Sequence, residues 1–332
     1  MQLPSDLHQA ITNVSEQWTD RIKPGTARDV SDRYRDKRRH GDDVMVHSDA
    51  DVAAYAAMRM PGTYAALRAC MAHSAGLMAP WRPESMLDAG AGPGTGIWAA
   101  TEVWPSLRKC CLLERVEAMI RIGRELGVHA EHAAIREAVW QETDLRTDWQ
   151  AEPADLVTAS YVINELGEAE GLLLAERLWK MTKGILILIE PGTPAGWSRI
   201  LRLRDHLLSM GAGMAAPCPH SRSCPVEAPD WCHFSERVNR SRLHRRLKEA
   251  ELAHEDEKFS YAVFSRLPVQ PCLARIRRHP MIYSGYLRLS LCARDGLREE
   301  TVARSRKEAY RAARDARIGD EWPSEQVISR TV

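Results

Sequence analysis

The stretch MLDAGAGPGTG, residues 86–96, constrains the fold more than any other part of the chain. An apolar run ends on an acidic residue, Asp88, and glycines follow at positions 90, 92, 94 and 96. Glycine reaches backbone conformations closed to other residues, so the chain can turn sharply here and let a ligand approach its backbone. A helix starting directly afterwards would offer free N–H groups to that ligand. The stretch therefore reads as a nucleotide-type cofactor loop between a strand and a helix, and it commits the surrounding chain to parallel strands joined by helices.

The flanking pattern agrees. Short apolar runs, SMLDA, CCLLE, AVWQE, ADLVTAS and GILILIE, recur between Ser85 and Glu190 and alternate with helical segments such as EAEGLLLAERLWKMT. This predicts a doubly wound α/β sheet. Residues 1–80 predict a helical region with a break at Pro61 and Gly62, preceded by the charge-dense RDVSDRYRDKRRHGDD, which reads as a solvated loop or a basic arm. RILRLRDHLLSMGAGM predicts a helix with a glycine-rich stop that leads into a cysteine-rich stretch, so the cysteines form an insertion late in the sheet. Beyond it, SRLHRRLKEAEL predicts a basic helix, KFSYAVFSR and GYLRLSLC predict strands, and REETVARSRKEAYRAARDAR predicts a final helix stopped at GDEW. The expected organisation is an N-terminal helical region (1–80), a cofactor-binding core (81–212), a cysteine-rich segment with the last strands (213–298) and a C-terminal basic helix and tail (299–332).

A dinucleotide fingerprint places its third glycine three positions after the second, whereas here Gly90, Gly92 and Gly94 alternate behind Asp88. This arrangement resembles the D-x-G-x-G-x-G loop of class I S-adenosylmethionine-dependent methyltransferases. Glu114 closes the next apolar run, where a carboxylate can accept hydrogen bonds from both ribose hydroxyls, and Asp144 lies at the end of the third, where the methyltransferase pattern has an acid facing the adenine amino group. A single acid of this kind is more often a surface charge or helix cap; three at strand ends in this order favour the ligand. The acceptor side is unmarked. ASYVINELGE holds neither an N/D-P-P-Y/F motif nor a Pro-Cys nucleophile, and Asn164 and Glu165 read either as pocket residues or, preferably, as the start of the next helix. No catalytic residue is assigned.

Eight cysteines in a chain without an export-type N-terminus argue for free or metal-bound thiols rather than a disulfide framework. Cys70, Cys110 and Cys111 lie among apolar residues as core fillers. Cys218, Cys224 and Cys232 are spaced C-x5-C-x7-C, two of them followed by proline. Zinc knuckles use C-x2-C, so the spacing disfavours zinc; thiolates in such a loop suit an iron–sulfur cluster. A fourth ligand is needed: Cys292, which precedes an Asp-Gly turn and is expected at a sheet edge, or Cys272, with His220 and His233 as nitrogen alternatives.

Gly196–Val332 carries 25 Lys+Arg against 17 Asp+Glu, and the preceding residues carry 21 against 28. A basic C-terminal part suits a polyanionic partner, although solvated helix faces produce the same count. No apolar run is long enough to span a bilayer, so the expectation is a cytosolic or organelle-matrix protein, bacterial cytoplasm being preferred to a mitochondrial matrix.

Taken together, AYAAMRMPGTYAALR, LDAGAGPGTG, ASYVINELGE, EPGTPAGW, PCPHSRSCP, DWCHFSERV, LCARDG and EAYRAARDARIGDEW resemble one family, the methyltransferase-like assembly proteins of the small ribosomal subunit, found in mitochondria and bacteria. The resemblance implies a class I methyltransferase fold binding S-adenosylmethionine and a 4Fe-4S cluster on Cys218, Cys224, Cys232 and Cys292. It also implies a monomeric partner of ribosomal RNA, with ERVNRSRLHRRLK and RIRRH meeting phosphates and Trp231, His233 and Phe234 stacking on bases or packing internally. Methyl transfer to ribosomal RNA is the first alternative, and an iron- or redox-sensing RNA regulator the second.

Overall fold

A computed structural model describes residues 1–18, 48–248 and 251–323. Among the described residues, helices α1 (Ser5–Gln17), α2 (Asp49–Met58) and α3 (Met60–Leu77) precede the sheet. The charge-dense 28–43 stretch lies outside the described residues. The break between α2 and α3 falls at Arg59 rather than at Pro61-Gly62, because proline fits the first turn of a helix, where its missing N–H has no partner to lose.

The expected runs become β1 (Ser85–Ala89), β2 (Lys109–Glu114), β3 (Val139–Glu142), β4 (Ala154–Ser160) and β5 (Thr182–Pro191), all parallel where paired. Between them run α4 (Thr95–Val103), α5 (Glu117–Gly127), the short α6 (Ala133–Arg136) and α7 (Glu168–Met181); α8 (Pro194–Ser209) follows β5. The order β3-β2-β1-β4-β5 is doubly wound and reverses direction between β1 and β4. Alternation along the strands fills two cores. Met86, Leu112, Leu156 and Ile187 face α1 to α5, while Leu87, Leu113, Val157 and Leu188 face α7 and α8. Asn164 and Glu165 do not open α7. They form a 3-10 turn, and α7 starts at Glu168 after Gly167, whose N–H donates to Glu170 at 2.8 Å.

The sheet continues antiparallel. β8 (His254–Ser265) pairs with β5 on one side and, on the other, with β6 (Gly213–Ala216) near its C-terminus and β7 (Phe234–Asn239) near its N-terminus. β6 is a strand that the glycine-rich sequence conceals. It and β7 are two halves of one edge, and the cysteine stretch 217–233 is the loop that leaves and rejoins the sheet between them. The basic helix α9 (Arg242–Lys248) connects β7 to β8.

A second, antiparallel sheet holds β9 (Ala274–Ile276), β10 (Met281–Ile282), β11 (Tyr286–Ala293), β12 (Gly296–Ala303) and β13 (Glu321–Trp322), in the order β10-β11-β9-β13 with β12 on the other side of β11. Leu287, Leu289, Leu291 and Ala293 alternate onto its own core with Val302 and with Ala309 and Ala313 of α10 (Lys307–Asp315). The first six residues of the expected final helix, Arg298 to Ala303, are thus strand. Its Arg- and Glu-rich start pairs with β11 from Ala293↔Gly296 to Tyr286↔Ala303, and this hairpin pairing overrides helix propensity. Cys292 is on β11, between β12 and β9, and so is not at a sheet edge.

Candidate functional site

The glycine loop sits at the C-terminal ends of β1 and β2, beside the point where strand order reverses, which is where open α/β sheets bind ligands. Gly90, Gly92 and Gly94 all have positive φ, 72°, 56° and 83°. A Cβ on Gly90 would strike Val162 at 2.5 Å, whereas at Gly92 nothing lies within 4 Å, leaving open space above the loop. Gly94 caps α4. Asp88 is buried beneath the loop; Thr158 donates to its Oδ1 at 2.6 Å, and its Oδ2 has no hydrogen-bond partner. Burial pushes the Asp88 carboxyl up to about 6, against the opposing effect of the Thr158 hydroxyl.

Glu114 closes the loop from β2. Its Oε2 accepts from the Gly92 N–H at 2.8 Å, and its Oε1 from the N–H groups of Arg115 and Val116, both at 2.9 Å. Burial raises its carboxyl despite these bonds. Asp144 lies two residues beyond β3, and Arg146 holds it by a side-chain pair at 2.6 Å that lowers its pKa. Asn164 and Glu165 approach from the turn after β4: the Asn164 N–H donates to buried Glu190, and burial with the nearby Glu114 charge raises Glu165 to about 7. Sequence reasoning missed Tyr161, the one non-glycine residue with positive φ (58°) among the described residues. Its hydroxyl donates to Glu257 on β8 at 3.0 Å, and Arg59 pairs with the same carboxylate at 3.5 Å. This bridge ties the N-terminal helices to the loop after β4.

Cys218, Cys224, Cys232 and Cys292 line one cavity of about 40 Å3, together with His220, Tyr261 and Trp197. The thiol loop supplies the first three. The fourth comes from the second sheet, where β11 alternation turns Cys292 away from the leucine core. Cys272 is buried outside this lining. Three arginines border the cavity, Arg204 at 3% exposure, Arg275 at 2% and Arg277 at 7%. Arg275 stands opposite Cys292 across β9–β11 and donates to the carbonyls of Pro217 (3.0 Å) and Gly319 (2.8 Å); Arg204 donates to those of His220 and Arg222. Burial pushes the thiols up: Cys292 to about 12, helped by Cys218 and Cys224, and Cys218 and Cys232 upward as well. His220 Nε2 is 3.9 Å from the Cys292 sulfur. Among the described residues, no three His, Cys, Asp or Glu side chains are gathered closely enough to hold a single metal ion.

The expected phosphate-facing surface is corrected in part. RIRRH contributes Arg275 and Arg277 to the cavity wall, and Arg278 pairs with Asp230, because β9 alternation points the first two arginines inward. Phe234 is in the core against Phe259 and Tyr261 and is closed to a base. Trp231 is half-buried, donates to the Gly192 carbonyl at 3.1 Å and stacks on His233. In ERVNRSRLHRRLK, Arg237 pairs with Asp256 and Arg240 with Glu255, and His244 is fully buried.

Residues 49–323 match the family described as mitochondrial small ribosomal subunit Rsm22. The chain belongs to this family. Human mitochondrial ribosome assembly protein METTL17 is 26% identical to this Rsm22-family chain over 288 residues, 81% of the chain and 62% of the relative. Rsm22-cox11 tandem protein 2, mitochondrial, from Schizosaccharomyces pombe, is 26% identical over 335 aligned residues, 86% of the chain and 44% of the relative. The chain thus spans less than two thirds of either relative. Both are mitochondrial by name, which gives no support to the preference for a bacterial cytoplasm. Among solved structures, magnesium protoporphyrin IX methyltransferase from Synechocystis PCC 6803 with bound SAM superposes with a TM-score of 0.42 at 13% identity, covering 78% of this chain and 97% of that one. A putative RNA methyltransferase from Pyrococcus horikoshii gives 0.40 at 14%, covering 63% and 85%. No described helix is long and apolar enough to cross a membrane.

Proposed function

We propose that this chain is an assembly factor of the small ribosomal subunit that holds S-adenosylmethionine at its glycine loop, carries a 4Fe-4S centre on Cys218, Cys224, Cys232 and Cys292, and docks on ribosomal RNA as a monomer. The observation that carries this reading is the family match over residues 49–323, which takes in every residue of both sites. A mitochondrial matrix location agrees with the names of the relatives.

The residues fit both groups. At the loop, the space above Gly92 leaves room for a polar ligand, and Glu114 stands at the end of the neighbouring strand. At the cavity, four soft sulfur donors are bordered by three buried guanidiniums, which bond to carbonyls and also pair with Asp205, Glu321 and Asp230. Thiolates bound to metal would add to these carboxylates in offsetting the buried positive charge. A single zinc needs its sulfurs about 2.3 Å from one point. Four cysteines on one cavity are also the donor set of an iron–sulfur cluster, and their C-x5-C-x7-C spacing lacks the C-x2-C knuckle of structural zinc sites. When bound, the cluster supplies a cross-link. Cys218, Cys224 and Cys232 would hold the loop between β6 and β7, and Cys292 would tie that loop to the second sheet.

Assembly is preferred to methyl transfer because the donor loop is well marked while ASYVINELGE, which ends β4 and forms the turn after it, carries no acceptor motif. In that turn Tyr161 is held by Glu257, which Arg59 pairs. The test is one preparation purified without oxygen. Equal iron and acid-labile sulfide, with co-sedimentation on immature small subunits and no transfer of tritiated methyl to RNA, is the expected result. Stoichiometric zinc without iron overturns the cluster, absent co-sedimentation overturns the assembly role, and label in RNA makes the chain a methyltransferase.

A further inference from the structure

Among the described residues, the tip of the β10–β11 hairpin holds a run of three consecutive exposed large side chains that neither site uses. Met281, Ile282 and Tyr283 are 41%, 61% and 40% exposed; the first two form the two-residue edge strand β10 and Tyr283 follows it. A tight turn through Ser284 and Gly285, with Gly285 at φ 92°, lets the Tyr283 N–H reach the Tyr286 carbonyl at 2.9 Å. The turn sets the two rings in parallel, their centroids 4.8 Å apart and their planes 15° from each other. Tyr286 thus backs Tyr283 and fixes its plane, and the Arg288 guanidinium stands 5.7 Å from the Tyr283 centroid.

Positive charge lies directly alongside. The Arg304 N–H donates to the Gly285 carbonyl at 2.8 Å, which brings the end of β12 against the tip, and Arg306 and Lys307 follow at the start of α10. All three are exposed, and among the described residues no carboxylate pairs with any of them. Arg237 and Arg298, also on the surface of this half, do pair with carboxylates. A fixed aromatic plane beside unpaired cations matches a strand that presents flat bases and phosphates together. A lipid surface rewards apolar area rather than a stacked pair of rings.

We propose that this hairpin tip is a stacking platform for single-stranded RNA, with a base on Tyr283 and adjoining phosphates on Arg304, Arg306 and Lys307. The proposal rests on the RNA-docking part of the reading above and locates that contact at the tip of the β10–β11 hairpin rather than on Trp231 or the RIRRH arginines.

The test is fluorescence anisotropy of the full chain, purified without oxygen, against a labelled single-stranded RNA of about 12 nucleotides, within the range such sites cover. Tyr283→Ala is expected to weaken binding roughly 5- to 100-fold, the range that loss of one stacked base gives. Tyr283→Phe keeps the ring and is expected to bind as wild type. Arg304→Glu combined with Arg306→Glu should flatten the salt dependence, by about 0.7 in log–log slope for each phosphate no longer neutralised. Thermal melting confirms that the exposed substitutions leave the fold intact. Wild-type binding that survives Tyr283→Ala overturns the platform and leaves the assembly role standing. Loss of binding to anionic vesicles on Tyr283→Ala, with RNA binding unchanged, overturns it in favour of a membrane surface. Wild-type protein that binds neither the RNA nor small subunits overturns the reading on which it rests.

Discussion

Gly92 precedes α4 and Gly96 lies in its first turn, and adding a single methyl group to each separates the ligand cradle from the fold. At Gly92 the added Cβ meets nothing within 4 Å, so Gly92→Ala costs only what an alanine costs at φ 56°. The left-handed region costs roughly 1–2 kcal/mol for a residue with a Cβ. Reduced freedom of the unfolded chain returns about 0.4–1 kcal/mol. The net is about 1 kcal/mol, and for a protein of this size that lowers the melting temperature by about 2–4 °C. At Gly96 the added Cβ lands on Asp88 Oδ2, a buried oxygen whose carboxylate Thr158 fixes from the other side. Overpacking costs about 1–3 kcal/mol, and the displaced buried hydrogen bond about 1–3 more. Gly96→Ala therefore lowers the ligand-free melting temperature by roughly 5–15 °C.

Calorimetric melts with and without S-adenosylhomocysteine distinguish the two glycines. At a concentration of about 100 Kd the ligand stabilises wild type by about 2.7 kcal/mol, a rise of roughly 5–10 °C. Gly92→Ala should melt almost as wild type without ligand and show none of that rise, because its methyl group fills the open space above the loop. An undiminished rise in Gly92→Ala refutes the cradle; an unshifted ligand-free melt in Gly96→Ala refutes the packing of Asp88 beneath it.

Asp88 gives a pH test. Its folded pKa, about 6, is raised above the ordinary aspartate value of 3.8, so folding favours its protonated form, and stability falls as pH climbs through that interval. Asp88→Asn should match wild type below about pH 4 and exceed it by about 2–3 kcal/mol above pH 6 in urea titrations of ligand-free protein; a constant difference across that range rejects the buried-acid account. Arg275→Met removes two bonds from a charged donor to the Pro217 and Gly319 carbonyls and should cost about 2–4 kcal/mol, more with metal bound than without; an equal cost in both forms argues against an anionic centre beside it. Cys292→Ser should lower iron content and melting temperature together, whereas Cys272→Ser, outside the cavity, should keep its iron; the opposite pattern makes Cys272 the fourth ligand.

Strands β1 to β5 and β8 of the first sheet are legible because each is a short apolar run bounded by polar residues, and the glycine loop is legible because its glycines have one physical use; β6 and β7 are not legible in this way. The second sheet is far less so. β12 reads REETVA, and a strand solvated on one face has the composition of an exposed helix; only its register with β11, which depends on tertiary pairing, makes it extended. RIRRH reads as a surface patch because charge alone does not say which face of a strand it occupies. Ala274 and Ile276 fill the second core and thereby turn Arg275 and Arg277 inward, but that inference needs the core to be known first. Tyr161 could not be found either, since its positive φ comes from packing against elements far away in sequence. The four cavity cysteines illustrate both cases. The C-x5-C-x7-C cluster stands out in the sequence, and Cys292 is separable from Cys272 only by the alternation of β11.

One strand organises both sites. Glu257 of β8 accepts the Tyr161 hydroxyl and pairs with Arg59 at the donor-loop end. Three residues on, the Ser260 hydroxyl donates to the Cys232 carbonyl at 2.8 Å, and Tyr261 lines the thiol cavity with its ring 4.9 Å from Phe234. Successive side chains on a strand point to opposite faces, so a one-residue slip of β8 against β5 would exchange them all. It would place Tyr261 and Val263, which belong to the first core, on the side of Ala262 and Phe264, which belong to the second, and would pull Glu257 away from both of its partners. The pairing of Ile185 to Pro191 with Ser265 to Phe259 is therefore fixed by both cores at once. That same register aligns the loop after β4 and the thiol loop on a single rigid element.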